Sequence, residues 1–151
     1  MDQAAARNAG DNYRGVIARM CVHLVNTSDH SFGTAVITPR WLFVLAAATP
    51  RSMGDPVLVD ESLEQLDSQT VQPGDIVGIS VQAGNALREY EVGRLAHNRG
   101  AARVVYGGIH ATLFPEEPFE RVAADAAVKG DGYVAWGQVL RDLEAGCVKH
   151  L

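Results

Sequence analysis

Apolar and polar positions fall in alternating blocks along the chain. Met20 to Asn26 (MCVHLVN) is a short apolar run with β-branched residues, which predicts a strand. Thr27 to Thr38 is a loop rich in Ser, Thr, Asp and Gly. Pro39 suits the first turn of a helix, and Arg40 to Thr49 (RWLFVLAAAT) reads as a buried helix stopped by Pro50 and Gly54. A second strand is predicted at Pro56 to Asp60, then a polar stretch, Glu61 to Val71, holding at most a short helix. Pro73-Gly74-Asp75 is a turn signal. Asp75 to Val81 (DIVGISV) is a third strand, apolar on both faces. Gly84 to Arg99 has helical spacing, with Ala86, Tyr90, Gly93 and Ala96 on one face and Gly100 at its stop. A fourth strand at 102–107 ends in Gly107-Gly108, and a short helix is predicted at Pro115 to Val122. A fifth strand at 126–129 leads through Gly130-Asp131-Gly132 into a last helix, Tyr133 to Glu144.

Strands that are apolar throughout and alternate with helical stretches predict a parallel sheet covered on both faces. The fold class is therefore α/β, an open doubly wound sheet, with the flavodoxin-like strand order 2-1-3-4-5 expected at this length. Ligands of such sheets sit beyond the carboxyl ends of the strands. That places Thr27–Thr38, Ser80–Gly84, Gly107–Pro115 and Gly130–Tyr133 at a common edge, all rich in Gly, Ser, Thr or His.

Composition narrows the picture. With 151 residues, 47% of them hydrophobic and 21% charged, the chain is expected to form one domain with a sizeable core. A net charge of -5 argues against a nucleic-acid partner, which would call for a basic surface. The longest apolar run, Trp41 to Ala48, falls well short of the about 20 residues of a membrane span. A cytoplasmic protein is expected, with no membrane partner. Cys21 and Cys147, far apart in sequence, make neither a four-cysteine zinc site nor a three-cysteine iron–sulfur site, and read as reduced thiols.

Several residues carry candidate chemistry. Gly107-Gly108 lets backbone approach a flat ligand closely, or turns the chain. Ser80 offers a hydroxyl to a ligand or caps the next helix. Gly130-Asp131-Gly132 walls a pocket or turns the chain. Asp29-His30 and His110 lie at the ligand edge, where an imidazole beside a carboxylate binds metal or acts as a base; solvated loop histidines are the alternative. Asp60 ends the second strand, where nucleotide-binding folds keep a ribose-binding acid. No G-x-G-x-x-G follows the first strand, however, and no Walker loop, G-x-S-x-G elbow or H-E-x-x-H occurs.

In combination, LVNTSDHSFGTAVITPRWLFVLAAAT, DIVGISVQ, VVYGGIHATLFPEE and AVKGDGYVAWGQVLRDLEAG resemble the cobalamin-binding domains of radical S-adenosylmethionine enzymes. The likeness runs from about Met20 to Gly146. It implies a Rossmann-like domain over residues 20–147, between a loose arm at 1–19 and a truncated end at 148–151. It also implies cobalamin at the carboxyl edge of the sheet, held by Thr27, Ser28, Ser80, Gln82, Gly107, Gly108, His110, Gly130 and Gly132. Ser80 and Gly107-Gly108 match the family positions that flank the nucleotide tail. The wider motif D-x-H-x-x-G, which supplies a cobalt ligand, is only approximated by Asp29-His30-Ser31-Phe32-Gly33. Base-off cobalamin without a histidine ligand is thus expected, His30 being a weak candidate for the metal. No C-x-x-x-C-x-x-C occurs, so the resemblance implies no iron–sulfur cluster in this chain and no turnover by it alone. A radical S-adenosylmethionine domain would be its partner, in cis or in trans, and the chain a fragment or split part of such an enzyme. The alternatives are a flavodoxin-like domain for another flat cofactor, and a ligand-free interaction remnant.

Overall fold

The computed structural model describes residues 20–28, 38–101 and 103–145. Five strands form one sheet, β1 (Val22–Asn26), β2 (Val57–Asp60), β3 (Ile76–Ser80), β4 (Arg103–Gly107) and β5 (Ala126–Ala127). All pair in parallel, in the order β2-β1-β3-β4-β5. His23 lies between Val57 and Val77 in register, and Val77 beside Val104. The doubly wound sheet expected from the apolar blocks is therefore present.

The helices are α1 (Arg40–Ala48), α2 (Ala86–Asn98), α3 (Gly108–Leu113), α4 (Glu117–Val122) and α5 (Gly132–Glu144). One face of the sheet buries Val22, Leu24, Ile76 and Val105 beneath α1 and α5, with Trp136 and Leu140 as the main contributions of α5. The other buries Val25, Val77, Ile79, Val104 and Tyr106 against Tyr90, Val92 and Ala96 of α2. Both faces being dry at β1, β3 and β4 explains why those strands do not alternate between apolar and polar residues.

Two connections between the strands shape the ends of the sheet. The crossover from β2 to β3 has no α-helix among its residues, only 3-10 turns such as Ser68–Thr70. Leu66 and Val71 plug that face instead. Glu61, buried, holds the segment by accepting two hydrogen bonds from Arg88 of α2, at 2.6 and 3.0 Å, and the Leu66 N–H at 3.2 Å. In contrast, Gly107–Pro115, expected as loop, contains α3. Gly-Gly reads as a turn, yet Gly107 serves as the N-cap and Ile109 to Leu113 continue as helix.

Gly93 is a close-approach position. A β-carbon there would run into the hydroxyl of Tyr106, which is fully buried and donates to the Glu89 carbonyl at 3.3 Å. Gly93→Ala is expected to cost about 2 kcal/mol through overpacking, read from urea unfolding. A cost near zero would mean that the Tyr106 ring yields freely.

Candidate functional site

The ends of β3, β4 and β5 open into a cavity of about 240 Å³ on the α1–α5 side of the sheet. Its floor is Gly78 to Ser80 and Val105 to Gly107. Val128, Gly130, Asp131 and Gly132 form one wall, and Trp41, Tyr133 and Trp136 bring aromatic rings to it. Of the residues singled out from sequence, Ser80, Gly107, Gly108, Gly130 and Gly132 meet here. Thr27, Ser28, Gln82 and His110 do not line the cavity. Asp29 and His30 lie outside the described residues.

The glycines differ in what they permit. Gly108 has φ +91°, a left-handed conformation that disfavours any side chain, and a β-carbon there would lie 2.8 Å from Ser80 Oγ and from the Val81 carbonyl. It is therefore required where β4 passes into α3 against the end of β3, whatever passes over it. Gly107 is extended, at φ −147°, and a β-carbon on it would meet only Val128 Cβ, at 3.8 Å. Added bulk at Gly107 enters the cavity without straining the fold. No neighbour lies within 4 Å of a β-carbon on Gly130, and the nearest to one on Gly132 is Leu45 at 4.0 Å.

The rim is tied together by contacts that the sequence did not advertise. Thr112 Oγ1 donates to the Gly108 carbonyl at 2.8 Å and accepts from the Gly130 N–H at 2.9 Å, joining the two glycine turns. Asp131 caps α5, its carboxylate accepting from the Tyr133 N–H at 3.4 Å. Trp41 Nε1 donates to Asn26 Oδ1 at 3.2 Å, and Asn26 Nδ2 donates to Asp60 Oδ1 at 3.0 Å. Asp60 thus orients an aromatic wall residue through Asn26. Trp136, buried, donates from Nε1 to Thr49 Oγ1 at 3.0 Å. The signal for these was partial: Asp before Gly-Tyr reads as a cap, but nothing in the spacing pairs Thr112 with Gly130.

His110 and Thr27 have other roles. The His110 ring shares a 2.7 Å hydrogen bond with Glu117 Oε2 and packs on Phe114, with centroids 5.0 Å apart. Its backbone N–H donates to the Val81 carbonyl at 3.2 Å. Thr27, buried at the end of β1, lies beside the carboxyl of Glu89. Glu89 accepts the Gln82 N–H at 3.0 Å through Oε1, while Oε2 and Thr27 Oγ1 are buried without a hydrogen-bonding partner. Burial pushes the Glu89 carboxyl up to about 8, against the weaker opposite pull of Gln82 and Thr27. Its burial under the loop that follows β3 favours the protonated form.

The opposite edge of the sheet carries a different cluster. Buried Asp75 accepts from the N–H groups of Cys21 and Gln72, at 2.9 and 2.8 Å, and shares a 2.8 Å hydrogen bond with His23 Nε2. Among the described residues no group of three or more His, Cys, Asp or Glu side chains is placed to hold a metal ion, and no helix is long and apolar enough to cross a membrane.

No protein-family model matches the sequence, and no curated protein matches it either. Solved structures do share the fold. The radical S-adenosylmethionine methyltransferase TsrM from Kitasatospora setae, with cobalamin and a 4Fe–4S cluster bound, superposes with a TM-score of 0.68 and 22% identity over 85% of this chain. The same enzyme with tryptophan and a SAM analogue gives 0.68 and 21%. The cobalamin-dependent S-adenosylmethionine radical enzyme OxsB, with aqua-cobalamin bound, gives 0.66 and 17% identity over 86% of this chain. The matched region spans 25%, 26% and 19% of those chains, so the likeness is to one part of larger enzymes.

Proposed function

We propose that this chain is a cobalamin-binding module. The observation that carries the reading is the cavity at the ends of β3–β5, lined by Ser80, Gly107, Gly130 and Gly132 and walled by aromatic rings, in a fold shared with enzymes solved with cobalamin bound. At about 240 Å³ it is too small for a whole corrinoid and suits an inserted aromatic base with part of its sugar. The corrin ring would then lie outside, over the strand ends. Ser80 Oγ would donate to or accept from the inserted tail. The open glycine faces would admit it, and Trp41, Tyr133 and Trp136 would pack on the base. Taking the base away from cobalt makes the bound form base-off, and we expect no histidine ligand from this chain. Bound cobalamin supplies the cobalt chemistry, such as carrying a methyl group; the protein supplies binding and orientation.

The partner in this reading is a radical S-adenosylmethionine domain, in cis or in trans. Ile109, Leu113 and Phe114 of the α3 region and Tyr133 and Val134 of α5 are exposed. A run of exposed apolar residues on the helices that flank the cavity suits contact with a second domain. The proposed module spans 20–147, as part of a larger or split enzyme.

The test is reconstitution with cobalamin. The expected outcome is retained red colour after desalting, an affinity about tenfold lower in Gly107→Val with an unchanged unfolding curve, and cob(II)alamin paramagnetic resonance lines without nitrogen triplets. Triplets that vanish in His30→Ala would make His30 the cobalt ligand. A yellow chain that keeps flavin in place of cobalamin would replace the reading with the flavodoxin-like one. A chain that keeps neither would be an interaction remnant.

A further inference from the structure

The sheet ends at β2, and among the described residues no strand pairs with its outer side. In the parallel register Glu61 N–H donates to the Asn26 carbonyl at 2.8 Å, so 57, 59 and 61 face β1 while Leu58 turns its N–H and C=O outward. A doubly wound sheet ordinarily covers such a strand with the helix of the next crossover. Here that crossover has no α-helix among its residues, and the result is a groove of about 470 Å³ along β2. Phe43 of α1 forms one lip and Leu63 the other, 57% and 78% exposed, and Val57 and Leu58 in the floor are 39% and 36% exposed. Among the described residues the lining also contains Asp60, Glu64 and Asp67, and no lysine, arginine or histidine.

We propose that this groove binds an extended strand of a partner protein, one that alternates apolar and basic residues. A strand is the fitting shape because its backbone can pair with the outward N–H and C=O of Leu58 in place of water, and side chains of alternate parity would reach the Phe43 and Leu63 lips. The basic character follows from charge. Three carboxylates at the groove attract Lys or Arg and repel another acidic edge. A second copy of this chain brings the same acidic lining and, among the described residues, no basic side chain in it, so it lacks the complementary charge. The acids thus select between strands that the open edge would otherwise accept alike.

Fluorescence anisotropy with a labelled, acetylated Val-Lys-Val-Lys-Val-Lys peptide tests this without reference to cobalamin. Saturable binding is expected, about tenfold weaker for the Val-Glu counterpart and for the lysine peptide N-methylated at alternate backbone nitrogens. Leu58→Pro removes the outward N–H and leaves the β1 ladder intact; it is expected to weaken binding by a similar factor with an unchanged circular dichroism spectrum. Combining Glu64→Lys with Asp67→Asn, which keeps the Asp67 cap on the Gln69 N–H, is expected to do the same and to flatten the salt dependence. No saturable binding of the lysine peptide, or equal binding of its N-methylated form, would overturn the proposal. A concentration-dependent dimer that Leu58→Pro abolishes would overturn it too, since the occupant would then be a second copy.

Discussion

Replacing Asp75 with alanine is expected to remove about 3–5 kcal/mol of stability, enough to leave the chain partly unfolded at room temperature. The carboxylate is buried and makes three contacts: the Cys21 N–H on one oxygen, and the Gln72 N–H and His23 Nε2 on the other. His23 and Asp75 expose only 2% and 3% of their side chains, so water does not replace what the substitution removes. The backbone donors of half-buried Cys21 and exposed Gln72 lose their acceptor at once, and buried His23, whose Nδ1 already lacks a partner, loses its remaining one. Asp75 also sets the start of both central strands: Cys21 precedes β1, and the Cys21 carbonyl in turn accepts the Ile76 N–H at 2.9 Å. Asp75→Asn keeps one acceptor oxygen and the shape, and is expected to cost less than half as much. Urea unfolding of the two variants checks the order. A loss below about 1 kcal/mol for the alanine variant, the range of an exposed pair, would show that the cluster is wet.

The sheet was legible because its evidence is local and redundant. LVN, PVLVD, DIVGISV and RVVY are each apolar on both faces, and burial on both faces is what a central parallel strand requires. The strand ends of the site were legible for the same reason: Ser80, Gly107 and Gly130 stand where apolar runs stop. Their meeting at one cavity then follows from parallel topology. What the pattern could not give is any contact set by tertiary register. Asp75 read as part of a turn and His23 fell inside an apolar strand run; that they meet depends on β1 and β3 lying side by side. Glu61 and Glu89 sit in polar, helix-like stretches whose residue types suggest exposure, yet both are buried, one against Arg88 and one beneath Gln82. His110 looked ligand-facing because it follows a glycine pair. The onset of α3 at Gly108 turns its ring to Glu117 instead. Gly107-Gly108 read as a place where backbone approaches a ligand or turns; at Gly108 the positive φ and the closeness of Ser80 and Val81 call for glycine in either case.

The Glu89 carboxyl makes stability depend on pH in the direction opposite to that of a salt-bridged acid. Its folded value is pushed to about 8 from an ordinary 4.5, mainly because burial penalises the charge. Between those values the native chain holds a proton that the unfolded chain has released. Its contribution to stability is therefore complete below the unfolded value and is lost as pH rises through the folded one. At about 1.4 kcal/mol per unit, the loss between pH 5 and pH 8 amounts to roughly 3 kcal/mol. Glu89→Gln keeps an oxygen for the Gln82 N–H and places an amide where the protonated carboxyl has its O–H, next to Thr27, but never ionises. The variant is expected to match the wild type near pH 5 and to exceed it by roughly 3 kcal/mol at pH 8. Subtracting the two profiles cancels every other titrating group. Parallel profiles would show that Glu89 ionises in its ordinary range, with water reaching it through the loop after β3. A diverging pair would show that the acid stays neutral at pH 7. In that case the segment from Val81 to Asn85, anchored by Gln82 on Glu89 and by Asn85 on the Thr27 carbonyl at 3.3 Å, rests on a proton. That segment directly follows Ser80, so the proton would hold in place the chain that leaves the floor of the cavity.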